Sequence, residues 1–82
     1  MTDTINHHID ITAELCPLTF VKTKLLIERM QSGETLDVRL KGIEPLRNVP
    51  RSVVELGHAI LSIAAEPGED SAGIHHLIIK KI

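Results

Sequence analysis

From Glu34 to Leu40 the chain alternates without a break: Leu36, Val38 and Leu40 fall on one side, Asp37, Arg39 and Lys41 on the other. A period of two is the signature of a half-buried strand, with one face to be covered and one facing water. The chain has 82 residues, 43% of them hydrophobic. That is ordinary for a folded domain, but one of this size buries only about 60–65% of the surface its unfolded form exposes. The core is thin, and the cover for that strand must come from nearby segments. A single domain over residues 1–82 is expected, with 1–7 as a flexible N-terminal segment.

Other segments supply the cover. Ile9 and Ile11 suggest a short first strand over His8–Ala13. From Pro17 to Gln31 apolar residues fall at Leu18, Val21, Leu25 and again at Phe20, Leu26, Ile27 and Met30, a helix with a broad apolar stripe. Leu25 is expected to face the sheet. Ser32-Gly33 follows, with Gly as a left-handed cap. Gly42–Pro45 reads as a turn, after which Leu46, Val49, Val53 and Leu56 recur at helical spacing. Pro50 lacks an N–H, so this second helix is expected to begin near Val49 or to open on an irregular turn, with Val53 toward the sheet. Ala59–Ala65 and Ile74–Ile82 read as two strands joined through Pro67–Gly73, a hairpin with a loose loop. The order β-α-β-α-β-β predicts an α+β, two-layer sandwich: a four-stranded mixed sheet with both helices on one face. Asp10, Asp37, Arg39, Ser62 and some of His75, His76 and Lys80 would lie on the other face, mixed in charge and mostly solvated.

Composition removes several function classes. One Phe and no Tyr or Trp leave almost nothing for bases to stack on, and a net charge of −2 gives no footprint for phosphate backbones. Direct nucleic-acid binding is not expected. No apolar run is long enough to span a membrane, and Met1–Asp10 does not read as a signal peptide. A single cysteine forms no internal disulfide. A cytoplasmic protein with no membrane attachment is the expectation.

That cysteine is Cys16, in Leu15-Cys16-Pro17, where the strand-like segment gives way to the helix-like one. Proline is favoured at a helix's first position, so Cys16 is expected to be the N-cap. The free amides and positive dipole end of a helix N-terminus favour thiolate over thiol, and the thiolate is the nucleophile. Leu18 and Thr19 complete the first turn beside Pro17, and the Thr19 amide is placed to donate to the sulfur. Arg47 and Arg51, near the start of the second helix, would share that end of the sheet and offer partner or anion contacts. Five histidines, His7, His8, His58, His75 and His76, do not form a metal site by spacing. Adjacent histidines in a strand point to opposite faces, and His8 could meet His75 or His76 only if the first and fourth strands were neighbours. His58 is expected far from Cys16, which argues against a Cys–His dyad.

Cys16-Pro17 at a strand-to-helix junction, Met30-Gln31-Ser32-Gly33-Glu34-Thr35-Leu36 after the helix and Arg47-Asn48-Val49-Pro50 opening the second together resemble the TusA/SirA-like family of small sulfur-carrier proteins. The resemblance runs from Ile9 to Lys81. It implies a βαβαββ fold whose fourth strand is antiparallel to the rest. It also implies that Cys16 takes a sulfane sulfur as a persulfide and hands it to a partner protein. The implied activity is that of a sulfurtransferase-type carrier with no cofactor and no metal. Its partners would be a sulfur donor, such as a cysteine desulfurase or a rhodanese, and a downstream acceptor protein. In the best-known members the relay ends in thiolation of tRNA uridine, and other members serve sulfur oxidation or cofactor synthesis. Asp10 matches the family's Leu-Asp start. The family's Cys-Pro-x-Pro is Cys16-Pro17-Leu18-Thr19 here, its Gly-Leu is Ala13-Glu14, and its Asp-Ile-Pro is Asn48-Val49-Pro50. The competing reading is a non-catalytic protein-binding or regulatory module in which Cys16 is structural; rapid alkylation near neutral pH separates the two.

Overall fold

In a computed structural model, residues 5–14, 18–66 and 73–82 are described. They form β1 (His7–Asp10), α1 (Leu18–Arg29), β2 (Thr35–Lys41), α2 (Ile43–Glu55), β3 (Ala59–Ala65) and β4 (Ile74–Lys80). The strands make one sheet in the order β1-β2-β4-β3. β1 pairs with β2 in parallel, and β4 runs antiparallel to both β2 and β3. The expected α+β architecture, with its mixed sheet and β3–β4 hairpin, is the one observed. Leu15, Cys16 and Pro17 lie outside the described residues, as does the connector over residues 67–72.

β2 sits where its alternation demands. Leu36, Val38 and Leu40 are completely buried, joined by Leu77 and Ile79 of β4, Ile27 of α1 and Val49 and Val53 of α2. Burial of a Leu- or Val-sized side chain contributes about 1.5–3 kcal/mol, so these few residues are the main source of stability.

The helices correct two expectations. Leu25 does not face the sheet: it is 54% exposed, and Leu18 and Val21 on the same side are 50% and 40% exposed. The buried line of α1 is Thr19, Thr23 and Ile27, continued by Met30, with Phe20 and Leu26 packed beside it. At about 100° per residue, Leu25 lies roughly on the opposite side of the helix from Ile27. α1 carries two apolar stripes, and threonine was assigned no role in the core. Thr23 enters it at little cost because its hydroxyl donates to the Thr19 carbonyl one turn back, at 2.8 Å.

α2 begins at Ile43, not near Val49, and Gly42–Pro45 is its N-terminal turn instead of a separate one. Gly42 caps the helix with φ of 108°, a left-handed conformation that glycine adopts without strain. Pro45 falls in the first turn, where N–H groups have no intrahelical partner, so the missing donor costs nothing there. Pro50 deprives one interior carbonyl of its donor, and α2 continues through it to Glu55.

Because β1, β2 and β3 run the same way, α1 and α2 both return against them. Their first residues, Leu18 and Ile43, therefore share the end of the sheet where β1 and β2 finish and β4 begins.

Candidate functional site

The segment before Cys16 is held at several points. The Ile11 amide donates to the Arg39 carbonyl at 2.9 Å, extending the β1–β2 ladder by one rung, and the Ile11 side chain is buried. Asp10 accepts through Oδ1 from both the Thr12 amide, at 2.9 Å, and the Thr12 hydroxyl, at 2.7 Å. The Glu14 amide donates to the Ile11 carbonyl, and the Glu14 carboxylate pairs with Lys22 of α1 at 2.9 Å. Beyond the undescribed Leu15, Cys16 and Pro17, α1 opens at Leu18, and Thr19 is completely buried. The Leu18 side chain is half exposed, whereas the Thr19 side chain is not exposed at all.

The open face of the sheet at this end is mixed in charge, as expected, but more organised than a mostly solvated surface. It carries a connected set of ionic hydrogen bonds. Arg39 donates through Nη1 to Asp10 at 2.9 Å, and through Nε and Nη2 to the two oxygens of Glu66 at 2.7 and 3.2 Å. His76 bridges the Glu66 carboxylate, 2.8 Å from Nε2, and the Asp37 carboxylate, 2.8 Å from Nδ1. Two-pronged arginine–carboxylate contacts are among the stronger surface interactions, because geometry and charge act together. The side chains of Asp37 and Glu66 are only 18% and 26% exposed.

The charges shift accordingly. Hydrogen bonds from Thr12, aided by Arg39, lower the Asp10 pKa to about 2. Arg39, then His76, lower Glu66 to about 2. His76 is raised above its ordinary 6.5 by its bonds to Asp37 and then Glu66. With a carboxylate at each ring nitrogen, the imidazolium satisfies both as a donor, which neutral imidazole cannot do.

The other sequence candidates are placed as follows. Arg47 and Arg51 are exposed on α2, and Arg51 lies 3.9 Å from Glu55 one turn on. His8 and His76 are on strands separated by β2, so the neighbouring-strand geometry that a shared metal site would require is not formed. Both instead approach Asp37. His58 directly precedes β3, at the opposite end of the sheet from Leu18, its Nδ1 accepting from the Ile82 amide at 3.2 Å. His7 pairs with Glu34 at 2.9 Å. Glu66 was overlooked because it stands at the edge of a turn-rich connector. Its only sequence signal was an acidic residue directly after an uncharged strand.

Comparison with known proteins decides the family. The family model described as "Sulfurtransferase TusA" matches residues 7–81. The chain belongs to the TusA family. A relative in Archaeoglobus fulgidus named "Putative sulfur carrier protein" is 48% identical over 58 residues, covering 71% of this chain and 66% of the relative. A Thermotoga maritima protein of the same name is 34% identical over 55 residues, covering 67% of this chain and 70% of its own. Among solved structures, the SirA-like protein of Desulfitobacterium hafniense superposes with a TM-score of 0.76, covering 90% of this chain and 95% of that one. At 15% identity that likeness establishes the fold alone. With β1, β2 and β3 running the same way, both helix N-termini lie at the end of the sheet where β1 finishes, and in sequence Cys16 falls between β1 and α1. Among the described residues no helix is long and apolar enough to cross a membrane.

Proposed function

We propose that this chain accepts a sulfane sulfur on Cys16 as a persulfide and passes it to a partner protein. The observation that carries the reading is Cys16-Pro17 between β1 and α1, in a chain that the family model matches from 7 to 81. In the loading step the Cys16 thiolate attacks the outer sulfur of a donor persulfide. The donor's S–S bond breaks as the new Cys16 S–S bond forms, and the donor cysteine leaves as thiolate. No net oxidation occurs and no cofactor is consumed. With a single cysteine in the chain, no resolving thiol can discharge the persulfide as an internal disulfide.

A helix N-terminus favours thiolate over thiol, and Cys16 stands two residues before Leu18, the first residue of α1. Donor and acceptor must both reach Cys16. Leu18, Val21 and Leu25, the exposed stripe of α1 that starts two residues beyond it, give the sulfur donor apolar surface continuous with the reacting end. Arg47, exposed on the neighbouring helix, adds a positive charge at that end.

Incubation with cysteine and a desulfurase, or with polysulfide, is expected to add the mass of sulfur to the intact chain, reversibly by reductant. Cys16→Ser is expected to stay unloaded. Equal loading of that variant would defeat the proposal, and sluggish alkylation of Cys16 near neutral pH would favour the binding-module reading.

A further inference from the structure

We infer that the free edge of β3 pairs with β3 of a second copy of this chain, antiparallel about a two-fold axis at Ala64. β1 and β3 end the sheet, and among the described residues each has a strand neighbour on one side only. β1 offers four residues, and His7, His8 and Asp10 are three of them. β3 is longer and reads Ala-Ile-Leu-Ser-Ile-Ala-Ala from Ala59 to Ala65, with no charge and no proline. Residues 61–65 are exposed, Leu61 at 53% and Ile63 at 45%. Charged side chains, prolines, short length and bulges are the usual guards of an open edge. Of these β3 has only the last, where its ladder with β4 skips Leu61. Residues 62–66 beyond it pair regularly.

An open edge dictates what kind of group covers it, because N–H and C=O groups set along a strand are met by another extended strand. Which strand fits is set by register. The Glu66 amide donates to the Ile74 carbonyl at 2.8 Å. By alternation Ser62 and Ala64 also turn their backbone groups toward β4, whereas Ile63 and Ala65 turn theirs outward. Side chains alternate as well. Ile63 and Ala65 are opposite Leu77 and His75, on the helix-covered face, and Ser62 and Ala64 are opposite Ile78 and His76, on the open face. With the axis at Ala64, Ile63 lies opposite Ala65 of the second copy, and each such pair exchanges its outward bonds. Ala64 meets its own counterpart, and Ser62 meets Glu66. Every opposed pair then shares a face, the large Ile63 meets a small side chain, and no like charges meet. Glu66, the one charge in residues 62–66, is drawn over its own sheet by Arg39 and His76. This self-complementarity favours a second copy over an unrelated strand, and it leaves β1 at the outer margin of both copies.

Residues 62–66 on each side cover far less than the about 1,200–2,000 Å² of a stable interface, so the dimer forms only at high concentration. Sedimentation equilibrium is expected to show a mean mass rising toward twice that of one chain as the protein is concentrated. Once about nine-tenths of the chains are paired, amide exchange at Ile63 and Ala65 should be about tenfold slower than in dilute protein. Exchange at Ser62 and Ala64, already bonded to β4, should change little. Ala64→Lys sets two ammonium groups side by side on the axis and should keep the chain monomeric. Ala65→Pro removes an outward N–H that β4 does not use and should do the same; it carries the test if Ala64→Lys does not fold. A chain that stays monomeric when concentrated overturns the inference and leaves the edge to a strand of another protein. A dimer that survives both substitutions also overturns it, by placing the contact on another surface such as the outer stripe of α1.

Discussion

The two faces of this sheet are built on opposite principles, and β2 supplies a row to each. Toward the helices it contributes Leu36, Val38 and Leu40, sealed by side chains that need only be apolar and of suitable volume. Toward the open side it contributes Asp37 and Arg39, which work only with particular partners: Asp10, Glu66 and His76 at hydrogen-bonding distance. The covered face tolerates exchange of like for like, whereas the open face is specific but individually weak, since exposed ion pairs contribute little each. α1 repeats the contrast, with Thr19, Thr23 and Ile27 inside and Leu18, Val21 and Leu25 outside. The lesson is that apolar character alone does not mark the inside here.

The contrast breaks first if the covered face proves soft. Leu36→Ala should cost about 2–5 kcal/mol, read from urea midpoints, which is much of the margin of a domain holding ~5 kcal/mol. A loss no greater than that of a surface substitution would mean the sheet does not depend on its covered row.

The open face should announce itself through pH. His76 is raised, so its contribution is fully present below its ordinary 6.5 and lost as pH climbs through the higher folded value. Asp10 and Glu66 are lowered to about 2, so theirs is present above the usual carboxylate range and lost as pH falls toward 2. Melting temperature against pH should therefore fall at both ends, and His76→Gln should flatten the alkaline limb, with a smaller effect on the acid limb because Arg39 is the larger cause of the lowered Glu66 pKa. An unchanged alkaline limb in that variant would remove His76 from the network's energetics.

A smaller effect tests the buried threonines. The Thr19 hydroxyl is completely buried and has no hydrogen-bond partner among the described residues, a cost that an isosteric methyl avoids. Thr19→Val should stabilise by about 1 kcal/mol. Destabilisation would indicate that the hydroxyl is satisfied. The smallest effect belongs to the outer stripe: Leu25→Ala should shift stability by no more than about 0.5 kcal/mol. Sulfur transfer from a donor protein should slow in the same variant. A large stability loss would return Leu25 to the core.

Amino-acid order alone determined the strands, the hairpin, the two-layer arrangement and the singular place of Cys16 before Pro17. Each depends on local periodicity or on residues with strong backbone preferences. The start of α2 was misplaced because Pro50 was read as marking a helix start, whereas α2 begins after the cap at Gly42 and runs on through Pro50. The phase of α1 was decided by tertiary packing. Two apolar stripes competed for one sheet, and the winning side includes two threonines, of which Thr23 has its hydroxyl satisfied within the helix. The ionic network was equally out of reach. Alternation places Asp37 and Arg39 on one face, but their partners come from strand order and register, which set Asp10 beside Arg39 and Arg39 opposite His76. Glu66 joins them from beyond β3. Such contacts link residues 27 to 39 positions apart, a separation at which the chain carries no local signal.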